Sequence, residues 1–133
     1  MKSIKIKTTV QNPMQDQYAG AFVSLTALSQ VPMIQQSQNP NEAAHYQLQP
    51  AHTFEQVIAT GYVATQMQTY KSKEMKDKGG RPFQLFTVED KAVYPPVLVL
   101  SEEEKENFSM KMLDEKALAY FTEIFGKGNV EQV

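Results

Sequence analysis

Hydrophobic and polar positions alternate most cleanly at the start of the chain. Residues Lys2 to Val10 read KSIKIKTTV, with Ile4 and Ile6 on one side and Lys5 and Lys7 on the other. A period of two marks a strand with one buried face. Gln11-Asn12-Pro13 follows as a turn. Ala19 to Leu28, carrying Phe22, Val23 and Leu25, reads as a second strand, with a short helix as the alternative. Between Ser29 and His52 the periodicity lapses, and glutamines such as Gln30, Gln35 and Gln47 stand among Pro32, Pro40 and Pro50. This predicts a long polar loop with a helical turn at 41–46. It would be either a flap over a groove or a passive insertion.

Phe54 to Tyr70 predicts the longest strand. Val57, Ala59, Gly61, Val63 and Met67 would line one face, with Ile58, Tyr62, Ala64 and Tyr70 on the other. Gly61 inside it marks a bulge or a close approach of other backbone. Lys71 to Arg81, KSKEMKDKGGR, reads as a polar loop closed by a Gly79-Gly80 turn, and Pro82 to Glu89 returns as a strand. Together they predict a β-hairpin with a basic tip. After an Asp90-Lys91 turn, Ala92 to Leu100 predicts a third strand, with Pro95-Pro96 confining its first half to an edge or bulge. Ser101 and Glu104 have capping-box spacing. Phe108, Met110 and Met112 alternate with polar neighbours and suggest a short return strand. A helix then runs from Asp114 as cap to Gly126 as stop, with Ala117, Tyr120, Phe121, Ile124 and Phe125 as its core stripe. The expected class is α+β: an antiparallel sheet with a C-terminal helix, one domain over 1–133.

Composition changes this picture little. The 133 residues, 41% hydrophobic and 21% charged, fit one globular domain. No cysteine is present, which removes disulfides, thiolate metal sites and a cysteine nucleophile. Met1 to Lys5 lacks the apolar core of a secretory signal, and no run approaches the roughly 18 apolar residues of a membrane helix. A cytoplasmic location is expected. The net charge of −2 hides an asymmetry: residues 1–100 sum to +2 (nine basic, seven acidic) and residues 101–133 to −4 (four basic, eight acidic). That fits a basic binding face with an acidic appendage, though such asymmetry also arises by chance.

Catalytic chemistry finds no foothold. His45 and His52 are the only two histidines, and their spacing of seven matches no zinc motif. There is no G-x-S-x-G elbow, and Gly79-Gly80 lies outside the phosphate-loop patterns. The carboxylate pairs Glu89-Asp90 and Glu102 to Glu104 fall at a turn and a helix start. A non-catalytic protein without cofactor or metal is expected.

The basic segment points elsewhere. Lys71, Lys73, Lys76, Lys78 and Arg81 are five cations in eleven residues, set against Glu74 and Asp77. Clustered cations concentrate positive potential where it can track phosphates. Tyr62 and Tyr70 precede the cluster, and Phe83 and Phe86 follow it. If Tyr70 and Phe83 or Phe86 share an exposed face, unpaired bases can stack there for about 1–3 kcal/mol each. The alternative is a solvated hairpin tip with its aromatics in the core.

Three phrases in this region, Lys78-Gly79-Gly80-Arg81-Pro82-Phe83, Val88-Glu89-Asp90 and Tyr94-Pro95-Pro96-Val97-Leu98-Val99, resemble the single-stranded DNA-binding proteins of filamentous phages. Those proteins carry a Gly-Lys/Asn-Pro-Tyr turn-and-strand, an acidic hairpin turn and a Tyr-Pro-Val-rich strand in the same order. The resemblance implies a small five-stranded barrel of the oligonucleotide-binding (OB) type, usually dimeric, that coats DNA through basic and aromatic residues. It places Arg81 and Phe83 on the Lys-Pro-Tyr stretch and Tyr94 on the Tyr-Pro. It covers about residues 78–100, with an extra proline at Pro96 and roughly fifty more residues ahead of the hairpin. A helix stands where the family has a later hairpin. Gln56 to Gln68 with its Lys-rich loop also loosely suits the wider bacterial single-strand-binding family.

The expected function is therefore non-catalytic binding of single-stranded DNA or RNA, in phage or plasmid replication. Lys71, Lys73, Lys76, Lys78 and Arg81 would meet phosphates, while Tyr70, Phe83, Phe86 and Tyr94 would meet bases. A homodimer could form by pairing of Lys2 to Val10 across an edge. The rival is a protein–protein module, a phage-type inhibitor or accessory subunit, acting through the acidic C-terminal third.

Overall fold

Ile4, Ile6 and Val10 have no solvent exposure while Lys5 and Lys7 face outward, so the opening alternation forms strand β1, Ile4–Gln11. The computed structural model describes residues 1–33, 47–51 and 53–133. Asn12 makes the turn that follows: its Oδ1 accepts from the amides of Met14 and Asp16, both at 2.9 Å. Strand β2, Gln17–Ala27, then returns antiparallel to β1. The pairing slips between Ile6 and Thr9, opposite Gly20, whose φ of 79° is open to glycine at no steric cost. The slip changes the face of everything before it. Ala21 and Val23 pair with Ile6 and Ile4 on the core side, and three residues before Ala21, Tyr18 is brought beside Val10 on that same side.

The segment expected as one strand over Phe54–Tyr70 is two elements. Helix α1, Phe54–Thr60, precedes the strand Tyr62–Tyr70. The start carries a capping box, in which Thr53 Oγ1 accepts from the Gln56 amide and Gln56 Oε1 from the Thr53 amide. Val57 and Ile58 are both buried, which a strand could not achieve with one face exposed. Gly61 ends the helix in the left-handed region at φ 81°. A Cβ there would stand 3.2 Å from the Leu100 carbonyl oxygen, so this glycine does mark a close backbone approach. The expected polar loop over 29–52 is also corrected at its two ends: β3, Gln30–Met33, and β4, Gln47–Ala51, pair antiparallel, and the strand Tyr62–Tyr70 becomes β5. The turn expected at 41–46 lies outside the described residues, as do His45 and His52.

The long hairpin with a basic tip is likewise replaced. Ser72 caps a five-residue helix, α2, Lys73–Asp77, and the returning arm meets β5 at one bridge, Phe83 with Thr69. Within three residues the chain reaches the far side of β1, where β6, Phe86–Thr87, pairs with Gln11 and Val10. β2 lies between β5 and β1, and Leu85 is 1% exposed within the core, so this crossing runs over the concave side of the sheet. The Asp90-Lys91 turn forms as expected, with the Thr87 amide donating to the Lys91 carbonyl at 2.9 Å. β7, Val97–Val99, follows the two prolines at the edge of the sheet, beside β5.

Ser101 and Glu104 form the expected capping box on α3, Glu102–Glu106. No return strand follows. α4 runs Met110–Phe125, four residues longer at its start than expected, because Leu113 joins the inward stripe while Met110 stays exposed. Phe108 instead packs edge-on against Phe54 of α1 at 5.8 Å. Leu113, Ala117 and Phe121 are fully buried, and Gly126 ends the helix as expected. A further strand, β8 (Val130–Gln132), pairs with Ile4 to Ile6. β1 is thus interior, flanked by β2 on one side and by β6 and β8 on the other. It has no edge with which to pair a second copy, which corrects the expected dimer contact.

The sheet order is β6-β1-β2-β5-β7, and it curls into an antiparallel half-barrel over α4, an α+β fold of small OB-like barrel type. No helix among the described residues is long and apolar enough to cross a membrane.

Candidate nucleic-acid interface

On the outer face of the sheet a row runs from Lys5 on β1 through Phe22 on β2 to Tyr70 on β5. α2 packs over this row, against β2 and β5. Phe22 is therefore 6% exposed and Tyr70 9%, and the Tyr70 hydroxyl donates to Gln68 Oε1 at 3.2 Å. Tyr70, expected to stack on bases, is walled in by α2 and does not face solvent. Lys76 lays its ammonium over the Phe22 ring, 5.4 Å from the centroid. A cation over a ring face gains about 0.5–1 kcal/mol when exposed.

Tyr18, turned over by the Gly20 slip, meets Phe83 with ring centroids 5.7 Å apart at 44°. Lys71 sits on the Tyr18 ring, 4.9 Å from its centroid. Both rings are half-buried. On the outer face a cavity of about 540 Å3 opens between β1, β2 and α2, lined by Lys5, Gly20, Phe22, Lys73, Glu74 and Glu131 among others. Gly20 contributes by lacking a side chain: a Cβ would stand 3.8 Å from Lys5 Cε.

The structure sorts the expected residues onto two faces: Lys73 and Lys76 lie with Lys5 and Phe22 on the outer face, and Lys71 and Phe83 lie with Tyr18 on the core side. Lys5 and Phe22 belong to strands that the sequence predicts, and Tyr18 stands one residue before the second of them. The signal for Tyr18 was Gly20, a glycine inside a strand pattern, which marks a change of phase. Lys78 pairs with Glu74 at 2.8 Å, so one cation of the cluster is neutralised locally. Arg81 is exposed beyond α2. Phe86 lies elsewhere, on β6 against Gln11, and Tyr94, 42% exposed, stands beside α4, where its backbone carbonyl accepts from the Tyr120 hydroxyl at 2.8 Å. Neither joins Lys71 or Lys76.

The electrostatics are mixed. Lys7 pairs with Glu131 at 3.4 Å beside the cavity, so its rim alternates sign. The positive excess comes from Lys5, Lys71, Lys73 and Lys76, which pair with no carboxylate among the described residues. Comparison with protein-family models, curated proteins and solved structures finds no significant match, so the site stands on its own geometry.

Proposed function

We propose that this protein binds single-stranded nucleic acid, without catalysis, where β2 meets the Lys71–Lys76 segment, with Lys71 on Tyr18 at one face and Lys5, Lys73 and Lys76 around Phe22 at the other. The observation that carries the reading is Lys71 resting on Tyr18 beside the half-exposed Phe83. A single strand offers both partners this surface needs: phosphates for the ammonium groups and unpaired base faces for the rings. Duplex hides its base faces, so the same surface would hold it by phosphates alone. The likeness of residues 78–100 to the filamentous-phage proteins supports the same reading. A chain without cysteine also suits a reducing cytoplasm.

Fluorescence anisotropy with a labelled oligothymidylate at two salt concentrations, with duplex as control, tests it. The expected result is preference for the single strand, with log affinity falling by about 0.7 per log unit of salt for each phosphate neutralised. Absence of binding at low salt, or equal binding of duplex, overturns it.

A further inference from the structure

A second surface lies at the β7 edge of the sheet and uses different chemistry. β7 is the last strand in the sheet order, and β5 is its strand partner. The Leu100 amide donates to the Gly61 carbonyl at 2.8 Å, and the Pro96 carbonyl accepts from Thr65 Oγ1 at 2.6 Å. Residues 96, 98 and 100 thus turn their main-chain groups to β5. Antiparallel alternation directs those of Val97 and Val99 the other way.

Beyond that edge, Pro96 to Val99 face Lys116, Ala119, Tyr120 and Glu123 of α4 across a groove of about 300 Å3. The helix positions recur at three, four and seven, which makes them one face. Val99 is 55% exposed, whereas Leu98 beside it is 4% exposed, so the outward side chain is an unburied apolar one. Ala119 leaves room opposite it. Tyr120 is fixed as a wall by its bond to the Tyr94 carbonyl. Lys116 is held by Glu104 at 2.9 Å, and the Ser101 amide and Lys116 together keep that carboxyl below the usual range. The charge left at the groove is that of Glu123, which has no cationic partner among the described residues. Beside it, α3, joined to the groove through the Glu104–Lys116 pair, carries four glutamates against one lysine.

We propose that the groove between β7 and α4 receives an extended basic peptide, which adds to β7 as a further strand. Its alternate apolar side chains lie against Val97 and Val99, and its lysines or arginines reach Glu123 and the acidic residues of α3. Strand addition of this kind takes affinity from main-chain hydrogen bonds and selectivity from side chains. Charge argues for a basic partner over a second copy, because two β7 edges brought together would oppose like-charged helices.

The experiment is an amide chemical-shift titration of the whole protein with three capped peptides: alternating lysine and valine, alternating glutamate and valine, and the first peptide N-methylated at the residues facing β7. The lysine peptide should shift the Val97 and Val99 amides, N-methylation should weaken it at least tenfold, and the glutamate peptide should leave them unmoved. Glu123→Lys should weaken the lysine peptide several-fold. Ala119→Met, which fills the groove without changing charge, should do the same. An oligothymidylate should not compete. Unmoved Val97 and Val99 amides, or an N-methylated peptide that binds equally well, would overturn the proposal.

Discussion

α2 and α3 are built alike and charged differently: α2 balances two lysines against a glutamate and an aspartate, whereas α3 sets four glutamates against one lysine. Each is five residues long, and each starts from a serine whose hydroxyl accepts an amide one turn on, from Met75 at 3.1 Å and from Glu104 at 3.2 Å. They differ in where their charges go. In α3, Lys105 turns back to Glu102 at 2.8 Å, and Glu104 serves both the cap and Lys116. In and beside α2, Lys76 and Lys71 lie on aromatic rings, where the ammonium keeps outward donors for a further anion. A count of charges therefore misjudges both helices: much of the acid is used at home, and much of the base is held out on a platform.

The sharpest break of this contrast is a charge reversal. Lys71→Glu with Lys73→Glu should cost about a hundredfold in oligothymidylate affinity and lower the salt slope by about one or two; the same titration series measures both. Reversing Glu103 and Glu106 on α3 should leave that affinity unchanged or slightly raised. Next in size is Gly61→Val. A β-branched residue at φ 81°, against the Leu100 carbonyl and Lys105, should destabilise the fold by about 2 kcal/mol or more in urea unfolding, without changing the α2 surface. Removing the caps separates the helices more finely. Ser101→Ala breaks a reciprocal box and should cost about 1 kcal/mol, whereas Ser72→Ala loses one bond and should cost less, both read from denaturation midpoints.

The smallest effect concerns pH. Burial raises the Tyr120 phenol above its usual value near 10, against the opposing bond to the Tyr94 carbonyl. A raised folded value means the contribution is intact below about pH 10 and is lost as pH climbs through the folded value. Tyr120→Phe should flatten that alkaline limb and cost about 1 kcal/mol at neutral pH. Thermal melts from neutral to alkaline pH would show both.

How far the fold could be read depended on whether local pattern and tertiary environment agreed. β1 was legible because its inward isoleucines and outward lysines obey one period, and the body of α4 because its stripe keeps to one face. Phe54–Thr60 misled because apolar residues on two apparent strand faces also fit a short helix whose neighbours cover most of it; the capping pair Thr53 and Gln56 was the overlooked sign. β8 has only three residues, too few for any period, and exists because β1 offers an edge. In the candidate site, Lys71, Lys73 and Lys76 were legible as a cluster and Lys5 was not, and of the aromatics Tyr18, Phe22 and Phe83 only Phe83 was legible. Tyr70 was drawn toward solvent by the expectation of a bare hairpin, and α2 buries it. Tyr18 needed the Gly20 slip, a change of face that alternation alone cannot reveal.

The placement of β1 also sets an order of events during synthesis. Ile4 to Ile6 leave the ribosome early and pair with β2 soon after, yet their other flank waits for Val130 to Gln132. At roughly 5–20 residues per second, an unpaired edge would stand open for several seconds on each nascent chain. Lys5 and Lys7 lie along that edge, and like-charged lysines on neighbouring chains repel. The same side chains that edge the finished site would then guard the unfinished protein against its own copies.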